Sequence, residues 1–95
     1  MSVSYKVDGD KGPAIQCRYK SRRFIMPLLD ISPGGCMAIC QSWPAEPGDE
    51  VSVKLPGLDS RHGRIVWIEE GRTGIAFEEL LHETAFHRLQ DMIAA

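Results

Sequence analysis

Asp30-Ile31-Ser32-Pro33-Gly34-Gly35 lies between two apolar runs, Phe24 to Leu29 and Cys36 to Ile39. Read from the residues upward, these six are first a turn. Pro33 presets its own φ, and Gly34 can take the positive φ that the third position of a type II turn needs. Ser-Pro-Gly-Gly between two strand-like runs is therefore a chain reversal with a mechanism. The stretch also carries polar groups. Asp30 offers a carboxylate, Ser32 a hydroxyl, and Gly35 bare backbone that a ligand could approach. Such groups suit a small polar ligand with both N–H donors and phosphate oxygens. Turn chemistry alone accounts for them equally well.

Outward from the turn, the pattern is of short strands. Ile15, Cys17 and Tyr19 alternate with Gln16, Arg18 and Lys20, the period of a half-buried strand. Ser21-Arg22 reads as a turn, and Phe24 to Ile31 as a second strand in which Pro27 points to an edge or a bulge. Cys36 to Gln41 is the third strand. Residues 42–48, with Pro44, Pro47 and Gly48, form a loop. Glu50 to Leu55 places Val51, Val53 and Leu55 inward. Gly63 to Glu69 sets Ile65 and Trp67 on one face against Arg64, Val66 and Ile68 on the other. Gly74 to Phe77 is a short sixth strand. From about His82 the period changes, and Phe86, Leu89 and Ile93 form one helical stripe. Six short, hairpin-linked strands must hide their edges. The expected fold is mainly β: a six-stranded antiparallel β-barrel capped by a C-terminal α-helix. It should occupy residues 13–95, behind a flexible N-terminal arm at residues 1–12.

Ninety-five residues make one domain, and a composition 43% apolar and 25% charged is that of a soluble globular chain. A formal net charge of −2 argues against DNA or RNA as a partner. Arg18, Lys20, Arg22 and Arg23 nevertheless cluster, which fits a small anion better than a polyanion. Cys17, Cys36 and Cys40 are odd in number and lack metal-knuckle spacing, so they read as reduced core residues, with no metal. No stretch reaches the ~20 apolar residues of a membrane span. With no signal-peptide run either, the expectation is a cytoplasmic chain without membrane insertion.

His82-Glu83-Thr84-Ala85-Phe86-His87 places its second His one position too late for the zinc-protease motif His-Glu-x-x-His. Both histidines read as helix surface, and the chain is not expected to be an enzyme. Trp67 is expected in the core, with a place beside a ligand as the other reading. Trp43, in a proline-rich loop, is expected to be exposed as a partner contact.

Asp30-x-Ser32-x-x-Gly35 after an apolar strand resembles the second signature of the PilZ domain, a bacterial receptor for cyclic di-GMP. Pro47 to Pro56, Gly63 to Trp67 and Gly74 to Phe77 resemble the family's later strands. The likeness runs over about residues 13–93. It implies the PilZ-like split barrel and a ligand site. Asp30 would accept from the N1–H and 2-amino groups of guanine, Ser32 would donate to a phosphate oxygen, and Gly35 would leave room for the base. In the family an Arg-x-x-x-Arg motif before the first strand grips the ligand through guanidinium forks. Arg18-Tyr19-Lys20-Ser21-Arg22 has that form, but Arg22 precedes Asp30 by only eight residues, and residues 1–17 contain no Arg. Either Arg18 and Arg22 are the motif in shortened form, with Arg23 able to replace either, or they are polar residues of a strand and turn.

The resemblance implies a cyclic di-GMP receptor or adaptor that needs no cofactor. It would change its surface on binding, order its arm and signal to an unidentified protein effector in motility or biofilm regulation. A monomer or weak dimer would serve. The alternative is a degenerate PilZ module that does not bind the dinucleotide and acts through protein–protein contacts.

Overall fold

The computed structural model describes residues 13–40 and 42–94. The expected arm, residues 1–12, and Gln41 at the end of the expected third strand lie outside them. Six strands are present: β1 (Ala14–Tyr19), β2 (Arg22–Ser32), β3 (Gly35–Ile39), β4 (Glu50–Lys54), β5 (Arg61–Glu69) and β6 (Arg72–Phe77). One helix follows, α1 (Glu83–Ala94). The strands close into an antiparallel barrel in the order β1-β2-β3-β6-β5-β4. Closure through β1 and β4, with Cys17 opposite Val53, leaves no free sheet edge among them.

The hydrophobic pattern selects the inside. Ile15, Cys17 and Tyr19 of β1 and Val51 and Val53 of β4 are buried, as is Leu55 just past β4. Ile65 and Ile75 meet across β5 and β6, both almost fully enclosed. Cys17, Cys36 and Cys40 are free thiols in this core. Burial pushes the Cys17 and Cys36 thiols up to about 12, so they stay protonated and inert near neutrality.

Two of the reversals need left-handed residues. Lys20 (φ 50°) and Ser21 (φ 70°) join β1 to β2, and Glu70 (φ 51°) with Gly71 (φ 78°) joins β5 to β6. Both are two-residue hairpins with positive φ at each centre, the geometry that matches strand twist. Gly34 departs from expectation. Pro33-Gly34 does link Ser32 to Gly35, but Gly34 has no positive φ, so the turn is not type II.

The strands are not all hairpin-linked. β3 and β4 are not neighbours, and the chain between them crosses the barrel end that carries the β1–β2 and β5–β6 turns. Cys40 N–H donates to the Gly71 carbonyl at 2.8 Å, and Gly48 N–H to that of Ile65 at 2.7 Å. Trp43, expected to be exposed, is buried at 8% exposure. Its ring lies 6.4 Å from Tyr19 and 5.8 Å, edge-on, from Phe24. The loop that looked like a partner contact is the plug of the barrel. Asp49 pins it: its carboxylate accepts from Tyr19 Oη at 2.8 Å and from the Glu46 N–H at 2.9 Å. Those two bonds, the backbone one first, hold the Asp49 carboxyl below its ordinary value.

The helix closes the opposite end. Leu81 N–H donates to the Pro33 carbonyl at 2.8 Å, so the chain leaving β6 is tied to the β2–β3 turn. Ala85 and Leu89 are buried, and Phe86 and Ile93 pack against the core. Twelve residues are marginal as an isolated helix, so this stripe holds α1 in place. His82 and His87 are exposed, His87 Nε2 lying 3.6 Å from Glu83.

Two outcomes follow from these turns and this plug. Ser21→Gly removes a left-handed side chain and should stabilise the fold by about 0.5–1 kcal/mol, raising Tm by several degrees in calorimetry. Asp49 contributes stability above its ordinary carboxyl value, lost as pH falls through its lower folded-state value. Asp49→Asn should therefore flatten the acid limb of the stability-versus-pH curve, measured by urea unfolding.

Candidate functional site

Two β-bulges build the site. Leu28 pairs with Ala38, but Asp30 pairs with Met37, so β2 carries one extra residue between them. Side chains alternate strictly without a bulge, and this one turns Asp30 outward and Ile31 inward. Pro27, expected at an edge or bulge, stands just before this irregularity, where β3 pairing has not begun. In β5, Ile65 pairs with Ile75 while Trp67 pairs with Gly74, again one residue too many. Trp67 is thereby turned out of the core that simple alternation assigned to it. It is half-buried on the outer wall, and Ile68 takes the inward place against the core.

These shifts bring Asp30 and Trp67 to one groove of about 310 Å³. Asp30, Ser32, Met37 and Trp67 stand around a floor of Gly35 and Gly74. The floor is small because its neighbours demand it. A Cβ on Gly74 would meet Trp67 Nε1 and stand 2.5 Å from Cε2, so the indole lies flat on bare backbone. A Cβ on Gly35 would meet the Ile75 carbonyl oxygen and stand 3.3 Å from Ala76 Cα. Close approach of β6 therefore requires the glycine, whatever enters the groove.

Asp30 Oδ1 accepts from the N–H of Ile31 at 2.8 Å, which fixes the carboxylate and leaves Oδ2 to face outward partners. Ser32 Oγ donates to the Gly35 carbonyl at 3.3 Å, bracing the turn. The groove thus presents one oriented carboxylate, one indole face and a thioether. It suits a flat, partly apolar group with N–H donors on its edge.

Of the six residues singled out in the sequence, the structure brings Asp30, Ser32 and Gly35 together and holds the arginines elsewhere. Arg22 and Asp30 begin and nearly end the same strand, eight residues or roughly 26 Å apart at the usual rise. Arg22 lies over the Phe24 ring, 5.4 Å from its centre. Arg18 and Arg23 are cross-strand partners on a different concavity, with Lys54. The chain enters β1 at the Asp30 end, where Leu28 N–H donates to the Pro13 carbonyl at 2.9 Å. In sequence, residues 1–12 carry Lys6 and Lys11 as their only cations.

Sequence reasoning missed two arginines beside the groove. Arg64 is the partner of Ala76, which lines it, and Arg72 stands two residues before Gly74 on the same outer face. Arg64 is engaged, donating to the Gly48 carbonyl at 3.2 Å and to Glu50 Oε2 at 3.3 Å. Neither arginine carried a sequence signal, because only the pairing of β6 with β5 and β3 sets them beside Gly35 and Gly74.

A family model for the PilZ domain matches residues 2–95. None of the curated proteins matches the chain. Gly74→Ala tests the groove's construction. The methyl should lift Trp67, shift its indole N–H resonance and cost about 1–3 kcal/mol of stability in urea unfolding.

Proposed function

The chain belongs to the PilZ domain family, a family of cyclic di-GMP receptors, and from that premise we propose that it is an adaptor module that works through protein contacts, without the arginine grip on the dinucleotide. One observation carries the reading. The basic cluster of Arg18, Arg22 and Arg23 lies at the plugged end of the barrel, a strand's length from Asp30. A guanidinium fork can bind a base or phosphate bidentately only within hydrogen-bond distance. Residues 1–13 contain no arginine to replace it. The Asp30–Trp67 groove then serves as the recognition surface for a protein effector, its indole and thioether supplying apolar contact and Asp30 the polar anchor.

A second reading keeps the dinucleotide. Asp30, Ser32 and Gly35 do share one groove with an aromatic face, and Arg64 and Arg72 flank it. In that reading guanine stacks on Trp67 with its N–H edge on Asp30, and Arg72, with Arg64 once it is freed from Glu50, meets the phosphates. Occupation would alter the surface offered to the effector, in a motility or biofilm circuit.

Calorimetric titration with cyclic di-GMP, paired with amide shifts, separates the two. The adaptor reading expects no saturation below about 1 mM, weaker than −4.1 kcal/mol. Micromolar binding abolished by Asp30→Ala and Arg72→Ala, with Arg18→Ala unaffected, would replace it with the second reading.

A further inference from the structure

The outer wall formed by β4, β1 and β2 carries a concavity of about 280 Å³ that the Asp30 groove does not touch. Its lining is polar and one-signed: Gln16, Arg18, Arg23, Ser52, Lys54 and Ser60 present side chains there. Register explains the grouping. Arg18 is the direct cross-strand partner of Arg23 on one side and of Ser52 on the other, and Gln16 is that of Lys54. Inward positions of the same strands are filled by Cys17 and Val53, so alternation forces these polar side chains onto one outer face.

The arrangement is unfavourable as it stands. Like charges directly opposite in an antiparallel pair repel. The ion pairs among the described residues join Arg64 to Glu50 and His87 to Glu83, and neither takes in Arg18 or Arg23. Glu50, the carboxylate of β4, points its charge at Arg64 instead. Lys54 is steadied by donating to the Leu58 carbonyl at 2.7 Å, which holds its ammonium beside the concavity. The result is three cations and two hydroxyls around a space suited to one compact oxyanion, on a chain whose formal net charge is −2.

We propose that Arg18, Arg23 and Lys54, with the hydroxyls of Ser52 and Ser60, form an anion site that takes the phosphate group of a small molecule. Two guanidinium forks supply bidentate donors, the ammonium a third positive charge and the hydroxyls neutral donors, a set that matches a tetrahedral oxyanion on several sides. Binding relieves the Arg18–Arg23 repulsion, so occupancy stabilises the barrel. The site is independent of the Asp30 groove and of either reading of it.

Inorganic phosphate and pyrophosphate, each titrated against potassium chloride at matched ionic strength, test the proposal on the whole chain. Saturable shifts are expected at Gln16, Arg18, Arg23, Ser52, Lys54 and Ser60, with a rise in Tm beyond the chloride control. Arg23→Gln should raise Tm in phosphate-free buffer, because it removes the repulsion, and should weaken phosphate binding about tenfold or more. Lys54→Gln provides the same binding readout if the Arg23 variant folds poorly, and Asp30→Ala should leave binding unchanged. Shifts spread evenly over all exposed lysines and arginines, or an anion response that survives both variants, would mean an adventitious ion only and overturn the site. A lower Tm for Arg23→Gln in phosphate-free buffer would overturn the repulsion argument with it.

Discussion

A closed six-stranded barrel has no edge to spare, so each residue of each strand must face either the core or the outer wall. Everything else in this molecule depends on that constraint. Along β1 and β4 the alternation is unbroken, and Ile15, Cys17, Val51 and Val53 fill the interior while Arg18, Ser52 and Lys54 face out. Along β2 and β5 it is broken once each. A single extra residue reverses every side chain beyond it, and this is how Asp30 and Trp67 reach the surface. Placing a carboxylate in the core would otherwise carry a desolvation cost of several kcal/mol.

The two open ends are closed by different means. At one, the β3–β4 crossing inserts Trp43 against Tyr19 and Phe24 and is clamped by the Tyr19–Asp49 hydrogen bond. At the other, α1 lays Ala85 and Leu89 on the core, tethered by the Leu81–Pro33 backbone bond. The asymmetry also separates the groove from the basic cluster. Asp30 and the groove stand near the helix end, beside the entry of the chain into β1. The arginine-rich hairpin belongs to the plugged end.

Charge placement divides the surface in the same way. The wall with the bulges gathers an indole, a thioether and one carboxylate, with Arg64 tied to Glu50 at its margin. The wall without bulges gathers cations, because strict alternation brings Arg18, Arg23 and Lys54 out in register. A fold shared across a family does not assign either wall its ligand; the groups on each wall do.

Much of the architecture was legible along the chain. Alternating and apolar runs between turn residues located all six strands to within a few residues, and the stripe Phe86, Leu89 and Ile93 located the helix, because burial on one face is a local, periodic property. The buried, free state of the three cysteines followed from their odd number and spacing. Three further things belonged to tertiary structure. The β5 bulge sent Trp67 outward, and a long-range crossing buried Trp43. Pairing of β6 with β3, and not sequence neighbourhood, set Gly35 opposite Ala76 and against the Ile75 carbonyl. The distance from Arg18, Arg22 and Arg23 to Asp30 was set by the extended length of β2. Sequence spacing states how many residues separate two groups; only the folded path decides whether those residues bring the groups together or hold them apart.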